Sequence, residues 1–153
     1  MRIEQGTMKH IEPWAHLRAT LWPNHSIEDH RKELTVSLST PNNNLVGFMA
    51  LSNSDEIIGF AEASLRNDHV NGCETSPVAF LEGIYVRYED RRKGVARSLC
   101  DAVGMWGRSA GCTELASDAP LANKASQSFH AAMGFKETER VVFFRKSLPG
   151  GDS

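Results

Sequence analysis

The chain has 153 residues, 41% of them hydrophobic and 24% charged, which is the size and composition of one soluble globular domain. A net charge of −2 at pH 7 gives no indication of nucleic-acid binding, and no apolar run approaches the ~20 residues that cross a bilayer. The segment MRIEQGTMKH lacks the apolar stretch of a signal peptide, and three scattered cysteines are too few for a disulfide scaffold or a zinc site. We therefore expect a cytoplasmic protein with no membrane anchor and no metal.

The first half of the sequence predicts a strand, two helices and a hairpin. A short strand is expected over residues 2–5, and the apolar spacing of residues 11–21 predicts a helix. Ser26, followed by acidic residues, is a good N-cap for a second helix. The apolar segments 45–51 and 57–65 lie on either side of the turn SNSDE and predict a hairpin.

The second half alternates strands with helices. The pattern predicts a strand over 78–86, a helix over 94–110, a strand over 113–117, a helix over 123–133 and a closing strand ERVVFFRKS. This order is typical of an α/β protein whose mixed sheet carries helices on both faces. We expect one domain over residues 1–148 and a flexible tail over residues 149–153.

A carboxylate interrupts the apolar strand FLEGIYV. Glu82 has apolar residues or glycine on both sides, so the pattern places it in the interior. Burying an unpaired carboxylate is costly, and such a residue has either a partner or a chemical task. Two interpretations stay open here: a buried pair with an arginine, or a site where Glu82 takes part in chemistry.

The sequence RRKGVA after this strand fits the pattern Arg/Gln-x-x-Gly-x-Gly/Ala. It joins a strand to a helix, and the free N–H groups at a helix start attract anions such as a pyrophosphate. It lacks the residues of a P-loop or a dinucleotide fingerprint. The structural alternative is a solvated basic turn before a helix.

This loop resembles the acetyl-CoA-binding motif of the GCN5-related N-acetyltransferase (GNAT) superfamily, and FHAAMGF resembles that family's Leu-Tyr-x-x-x-Gly-Phe. The resemblance implies a mostly antiparallel mixed sheet that splays between its two central parallel strands, with acetyl-CoA as co-substrate. It also implies the cofactor contacts, which are Ile84, Tyr85 and Val86 along the pantetheine arm, Arg91, Arg92, Lys93, Gly94, Val95, Ala96 and Arg97 around the pyrophosphate, and Asn123 and His130 on the next helix.

Within that superfamily the chain is most similar to the aminoglycoside 6'-N-acetyltransferases, in LRATLWPNH, FAEASLRNDHVNGCETSPVAFLEGIYV, ELASDA and GFKETERVVFFRK. The resemblance implies acetylation of the 6'-amino group of aminoglycoside antibiotics, with resistance as the outcome, by an enzyme that forms a homodimer through its final strand. The implied substrate contacts are Trp22, His25, His69, Glu82, Asp118 and Glu139.

Each substrate contact also has a structural interpretation. Trp22 fits a core residue, His25 a turn residue, Asp118 a loop cap and Glu139 a surface acid. His69 stands where related enzymes carry tyrosine.

Catalysis requires that the substrate ammonium lose a proton, because its pKa is near that of lysine, ~10.4. We expect Glu82 to take part in accepting that proton and Asp118 to bind and orient the cationic substrate. His130 occupies the position of the family's tyrosine acid, and it either donates a proton, contacts CoA or packs as a neutral ring. Direct transfer in a ternary complex is favoured, since no cysteine has an adjacent base.

Two other functions fit the same motifs. One is an acetyltransferase of the same fold that acts on a polyamine or a protein N-terminus. The other is a CoA-binding module without turnover.

Overall fold

The computed structural model of the chain describes residues 1–150. Its strands are β1 (Arg2–Gln5), β2 (Leu45–Leu51), β3 (Ile57–Arg66), β4 (Val78–Val86) and β5 (Leu115–Ser117). Its helices are α1 (Ile11–Leu21), α2 (Ile27–Ser39), α3 (Val95–Ser109) and α4 (Lys124–Ala132). These elements agree with the predicted ones to within about two residues at either end. The last three residues of the expected tail lie outside the described residues.

The strands form one sheet in the order β1-β2-β3-β4-β5. The first three pairings are antiparallel and β4 pairs with β5 in parallel, so the predicted mixed, mostly antiparallel sheet is confirmed. The parallel pair does not lie at the centre, because in the described part of the chain β5 forms the edge of the sheet.

Apolar side chains cover both faces of the sheet. Alternate residues of β3 point to opposite faces, as a strand requires. Phe60 packs with Trp14 and Leu34 on the face covered by α1 and α2. Ala61 packs with Leu99 on the other face, which α3 covers. The predicted arrangement of helices on both faces is therefore confirmed.

The predicted closing strand ERVVFFRKS is wrong for the single chain. No helix or strand is found from residue 135 to residue 150. A strand requires a neighbour that supplies its hydrogen bonds, and this segment pairs with none of the described strands. Phe143 and Phe144 are consequently 89% and 92% exposed.

Across residues 1–150, every helix is too short or too polar to cross a lipid bilayer.

Candidate active site

Glu82 lies at a bulge between β3 and β4. Glu62 of β3 is opposite Gly83, and Ala63 is opposite Leu81, so Glu82 is an extra residue on its strand. The bulge brings the side chain to the surface, where it is 30% exposed. The sequence predicted that Glu82 is buried, but in the structure its side chain is only partly buried.

The carboxylate of Glu82 has two partners on β3. The Ser64 hydroxyl donates to Oε1 at 2.6 Å, and Arg66 Nη2 is 3.0 Å from Oε1 and 3.2 Å from Oε2. The arginine partner that the sequence left open as an alternative is thus present, as Arg66. Its guanidinium lies over the Phe80 ring, with Cζ 3.5 Å from the ring centroid.

Trp22 packs against the strand beside Glu82. A Cβ atom added to Gly83 would overlap the indole ring, so only glycine allows this approach. The ring is half-buried and meets Phe60 edge-on, with centroids 6.1 Å apart. Trp22 therefore lies at the edge of the core, in line with its structural interpretation. Its ring also lies beside the bulge.

The pairing of β4 with β5 stops where the bulge begins. The last paired residues are Leu81 and Ser117, and the Ser117 hydroxyl donates to the Leu81 carbonyl at 3.1 Å. Within residues 1–150, residues 82–86 of β4 pair with no strand on that side, which is where the expected splay falls. Asp118 follows directly after Ser117 and is exposed, so it stands at the mouth of this opening.

The start of α3 is an open anion site. Gly94 is its N-cap with φ +80°, and nothing lies within 4 Å of the position that a Cβ would take. The first helical hydrogen bond runs from the Ser98 amide to the Gly94 carbonyl. The amides of residues 95–97 therefore remain free to bind an anion at the positive end of the helix dipole.

The basic residues of this loop divide into two groups. Arg91 Nε donates to the Val86 carbonyl at 2.9 Å, and Arg97 Nη2 donates to the Ala132 carbonyl of α4 at 3.1 Å. Both arginines thus hold the loop in place. Arg92 and Lys93 are exposed beside the free amides, and Lys93 Nζ lies 4.0 Å from the Asp90 carboxylate.

His130 is packed between two hydrogen-bonding partners. Nδ1 lies 2.7 Å from the Ser126 carbonyl, and Nε2 lies 2.8 Å from the Ser117 hydroxyl. Because a carbonyl only accepts, Nδ1 is the donor in its contact with Ser126. These contacts hold the ring between α4 and β5, and the role of His130 toward CoA stays a prediction.

Asn123 caps α4 as its N-cap residue. Its Oδ1 accepts a hydrogen bond from the Ser126 amide at 3.0 Å. The amide NH2 group of the side chain is what remains for contact with a cofactor.

The remaining predicted substrate residues lie on exposed loops. His25 follows α1, with its ring 5.9 Å from that of His30. His69 lies in the loop 67–77, and Glu139 lies in the C-terminal segment. These last two regions touch, because the Thr138 side chain fills the space where Gly72 would carry a Cβ.

A buried ion pair between α1 and β3 was not predicted from the sequence. Arg18 Nε donates to Glu62 at 2.8 Å, and Trp14 Nε1 donates to the same oxygen at 3.2 Å. Burial raises the pKa of the Glu62 carboxyl, and the charge of Arg18 opposes that rise. The alternation of Phe60, Glu62 and Ser64 along β3 is the sequence signal that could have placed Glu62 on the face toward α1.

The three cysteines are poor nucleophiles. Burial raises the pKa of Cys73 and Cys112, and it raises the pKa of Cys100 to about 11. Reactive cysteines have a lowered thiol pKa, so these thiols lack that activation. Within residues 1–150, no three His, Cys, Asp or Glu side chains are grouped to hold a metal ion.

Comparison with known proteins agrees with this geometry. Residues 11–135 match the model of the acetyltransferase (GNAT) family. A protein of Serratia marcescens named aminoglycoside N(6')-acetyltransferase type 1 is 51% identical over 138 residues, which are 90% of this chain and 93% of that protein.

Two solved structures of AAC(6')-Iy are similar at 46% identity. One, in complex with CoA, has a TM-score of 0.89 and covers 96% of this chain and 95% of its own. The other, in complex with the bisubstrate analog CoA-S-monomethyl-acetylneamine, has a TM-score of 0.88 and covers 96% of this chain and 98% of its own.

The family model spans most of the sequence, and the relatives match nearly their whole length. The chain belongs to the GNAT family of acetyltransferases.

Proposed function

We propose that this protein transfers the acetyl group of acetyl-CoA to the 6'-amino group of aminoglycoside antibiotics and thereby confers resistance to them. The observation that carries this proposal is the half-open Glu82 carboxylate at the point where β4 loses its partner strand. The similarity to proteins named as aminoglycoside N(6')-acetyltransferases supports the same substrate class.

The residues present fit acetyl-CoA. The free edge of β4 at Ile84 and Tyr85 offers backbone groups to the pantetheine arm, as an added strand would use them. The free amides at the start of α3, with Arg92 and Lys93, suit the pyrophosphate. Bound there, acetyl-CoA supplies an activated acetyl thioester.

The acceptor side consists of carboxylates and an aromatic wall. Asp118 holds the cationic substrate, and Trp22 covers one side of the bound sugar beside Gly83. Glu82 accepts the proton that the 6'-ammonium loses, either directly or through water. The neutral amine then attacks the thioester carbonyl in a ternary complex, the amide C–N bond forms, and the C–S bond breaks to release the CoA thiolate, which takes a proton from water. The raised cysteine pKa values disfavour an acyl-enzyme.

A thiol-release assay with acetyl-CoA tests this function. We expect release of CoA with kanamycin or tobramycin and none with an analogue that carries a 6'-hydroxyl. Release with polyamines or peptides alone would assign a different acceptor. CoA binding without release would indicate a module that has lost turnover.

We further propose that the protein is a cytoplasmic homodimer. Its co-substrate acetyl-CoA is found inside the cell. A groove of about 440 Å³ lies between the end of α3 and the segment that leads into β5, lined by residues that include Gly107, Cys112, Glu114 and Leu115. β5 is the edge of the described sheet, and the exposed apolar segment 141–144 of a second copy is expected to add to that edge as a strand.

A further inference from the structure

The two oxygens of Glu82 are used unequally. Oε1 accepts from both Ser64 and Arg66, whereas Oε2 has only the longer contact of 3.2 Å with Arg66 Nη2. Each carboxylate oxygen accepts about two hydrogen bonds, so Oε2 retains capacity for one more donor. The incoming amine, or the water that relays its proton, meets Glu82 at Oε2.

The distance to Arg66 follows from this geometry. A donor on Oε2 lies about 2.9 Å from it, and Arg66 Nη2 lies 3.2 Å from the same oxygen. The donor is therefore no more than about 6 Å from the Arg66 charge. At that range a positive charge lowers the pKa of another cation, because like charges disfavour the protonated form.

Arg66 is also held by more than Glu82. The 3.5 Å distance between its Cζ and the centroid of the buried Phe80 ring indicates stacking, which orients the guanidinium independently of the carboxylate. Its positive charge therefore stays at the site when a substrate cation approaches.

A carboxylate without this partner would act differently. A lone Glu82 would attract the substrate ammonium and raise its pKa, which stabilises the protonated form that cannot attack the thioester. Tight binding of that form would lower KM without raising the rate of transfer.

We propose that Arg66 is a positioning residue whose charge offsets the charge of Glu82. Glu82 then does not anchor the substrate ammonium, and it is left to act as a proton acceptor. The pair of Arg66 and Glu82 has no net charge, so it does not hold the 6'-amine as an ammonium. The exposed Asp118 is left to bind the remaining positive charges of the substrate. This inference rests on the proposed function and specifies how its site handles the proton.

Other charged groups lie on the elements packed against this part of β4. Arg18 on α1 and Glu62 on β3 neutralise each other in their buried pair. The exposed groups are Asp68, His69 and Glu74 in the loop 67–77, His25 after α1, Asp118 after β5 and Glu139 in the C-terminal segment. Arg66 contacts Oε2 itself, so removal of its charge directly changes the net charge beside that oxygen.

The test is Arg66→Met, with the acetyl-transfer step measured in single turnover from about pH 5.5 to about pH 9.5. We expect the acid limb of the profile to move up by about one pH unit. At pH values below that limb, the transfer rate of the variant should be about 10-fold lower than that of the unaltered protein. The substrate Kd, measured by calorimetry, should decrease because the lone carboxylate binds the ammonium more tightly. Arg66→Lys keeps the charge and should return the limb toward that of the unaltered protein.

Two further variants separate charge from orientation. Ser64→Ala loosens the carboxylate but leaves Arg66 in place, so the acid limb should not move. Arg2→Met removes an arginine from an exposed pair with Asp55 and is the matched control. If Arg66→Met does not fold, Arg66→Gln removes the same charge.

An acid limb that stays in place in Arg66→Met, or that moves to lower pH, would overturn the role of Arg66. That result differs from failure of the proposed function, in which the unaltered protein would release no CoA with any aminoglycoside.

Discussion

Glu62 and Glu82 are carboxylates near each other on neighbouring strands, but their surroundings differ. Glu62 is 7% exposed and is bound by Arg18 and Trp14. Glu82 is 30% exposed, and one of its oxygens is free to accept another donor. The buried carboxylate joins α1 to β3, whereas the half-open carboxylate can still accept a hydrogen bond from a bound molecule.

Replacing the acceptor-site carboxylates should lower catalysis and leave cofactor binding intact. For Glu82→Ala or Asp118→Ala we expect kcat/KM for aminoglycosides to fall about 100-fold or more, the range for loss of a positioned proton acceptor. The CoA affinity, measured by calorimetry, should stay within about two-fold, because the start of α3 does not use these residues. Unchanged kinetics in both variants would remove the acceptor-site assignment.

The thiol of Cys100 should resist alkylation in the folded protein. Its pKa is raised to about 11, first by burial and then by the charge of Asp101. A raised thiol pKa means less thiolate, roughly 0.1% at pH 8. Iodoacetamide followed by mass spectrometry should leave Cys100 unlabelled until the protein is unfolded. Rapid labelling of the native protein would reopen the acyl-enzyme route.

Sequence patterns predicted Glu82 as the residue of interest, because a charge in an apolar strand is a local signal. They did not identify Arg66 or Ser64 as its partners. These contacts join residues 16 and 18 positions apart, and they depend on the bulge that shifts the register of β3 against β4. A one-residue shift in register turns side chains to another face, so pairing details are not readable from one strand.

At the scale of elements, α1 is fixed to the sheet by polar contacts as well as apolar packing. The Arg18 side chain reaches Glu62 on β3 and Glu33 on α2. Its Cζ also lies 5.2 Å from the Trp22 ring centroid. This network sets where α1 ends and therefore where Trp22 meets Gly83.

Breaking this buried pair from one side should strongly destabilise the protein. Arg18→Met leaves Glu62 buried without its counter-charge, and we expect a loss of about 3–5 kcal/mol in the free energy of unfolding. The double variant Arg18→Met with Glu62→Leu should recover most of that loss, because it buries no charge. Urea denaturation measures both values.

The exposed pair of Arg31 with Glu12 supplies the control. Arg31→Met should cost less than about 1 kcal/mol, since exposed pairs contribute little. A loss in Arg18→Met no larger than in Arg31→Met would show that the buried pair does not fix α1.

Periodicity in the sequence was sufficient for the helices and for the first four strands, because these elements carry their apolar spacing locally. The N-cap at Ser26 is confirmed by its hydrogen bond from the Asp29 amide at 3.0 Å. The final strand was predicted from the same kind of spacing and is absent in the single chain. Apolar spacing indicates that a segment can be a strand, but only a free edge with matching hydrogen bonds makes it one.

At the scale of the whole molecule, the exposed C-terminal segment bears on the proposed homodimer. The segment presents Phe143 and Phe144 almost fully to solvent, which is unusual for a contiguous apolar run on a monomer. It is bounded by basic residues, and the groove at the end of α3 includes Glu114. In the proposed dimer, a second copy would cover these exposed phenylalanines.

The dimer should therefore dissociate when the segment becomes polar. Phe143→Asp with Phe144→Asp places two carboxylates where apolar contact is expected, and sedimentation velocity should show a shift from dimer to monomer. Val36→Asp, at a site on α2 that is 65% exposed, makes the same kind of change outside the segment and should leave the dimer intact. Because Glu139 lies in the chain just before this segment, we also expect the monomer to bind aminoglycoside more weakly while it keeps its CoA affinity. An unaltered protein that already sediments as a monomer would contradict the dimer, and the exposed phenylalanines would then require another partner.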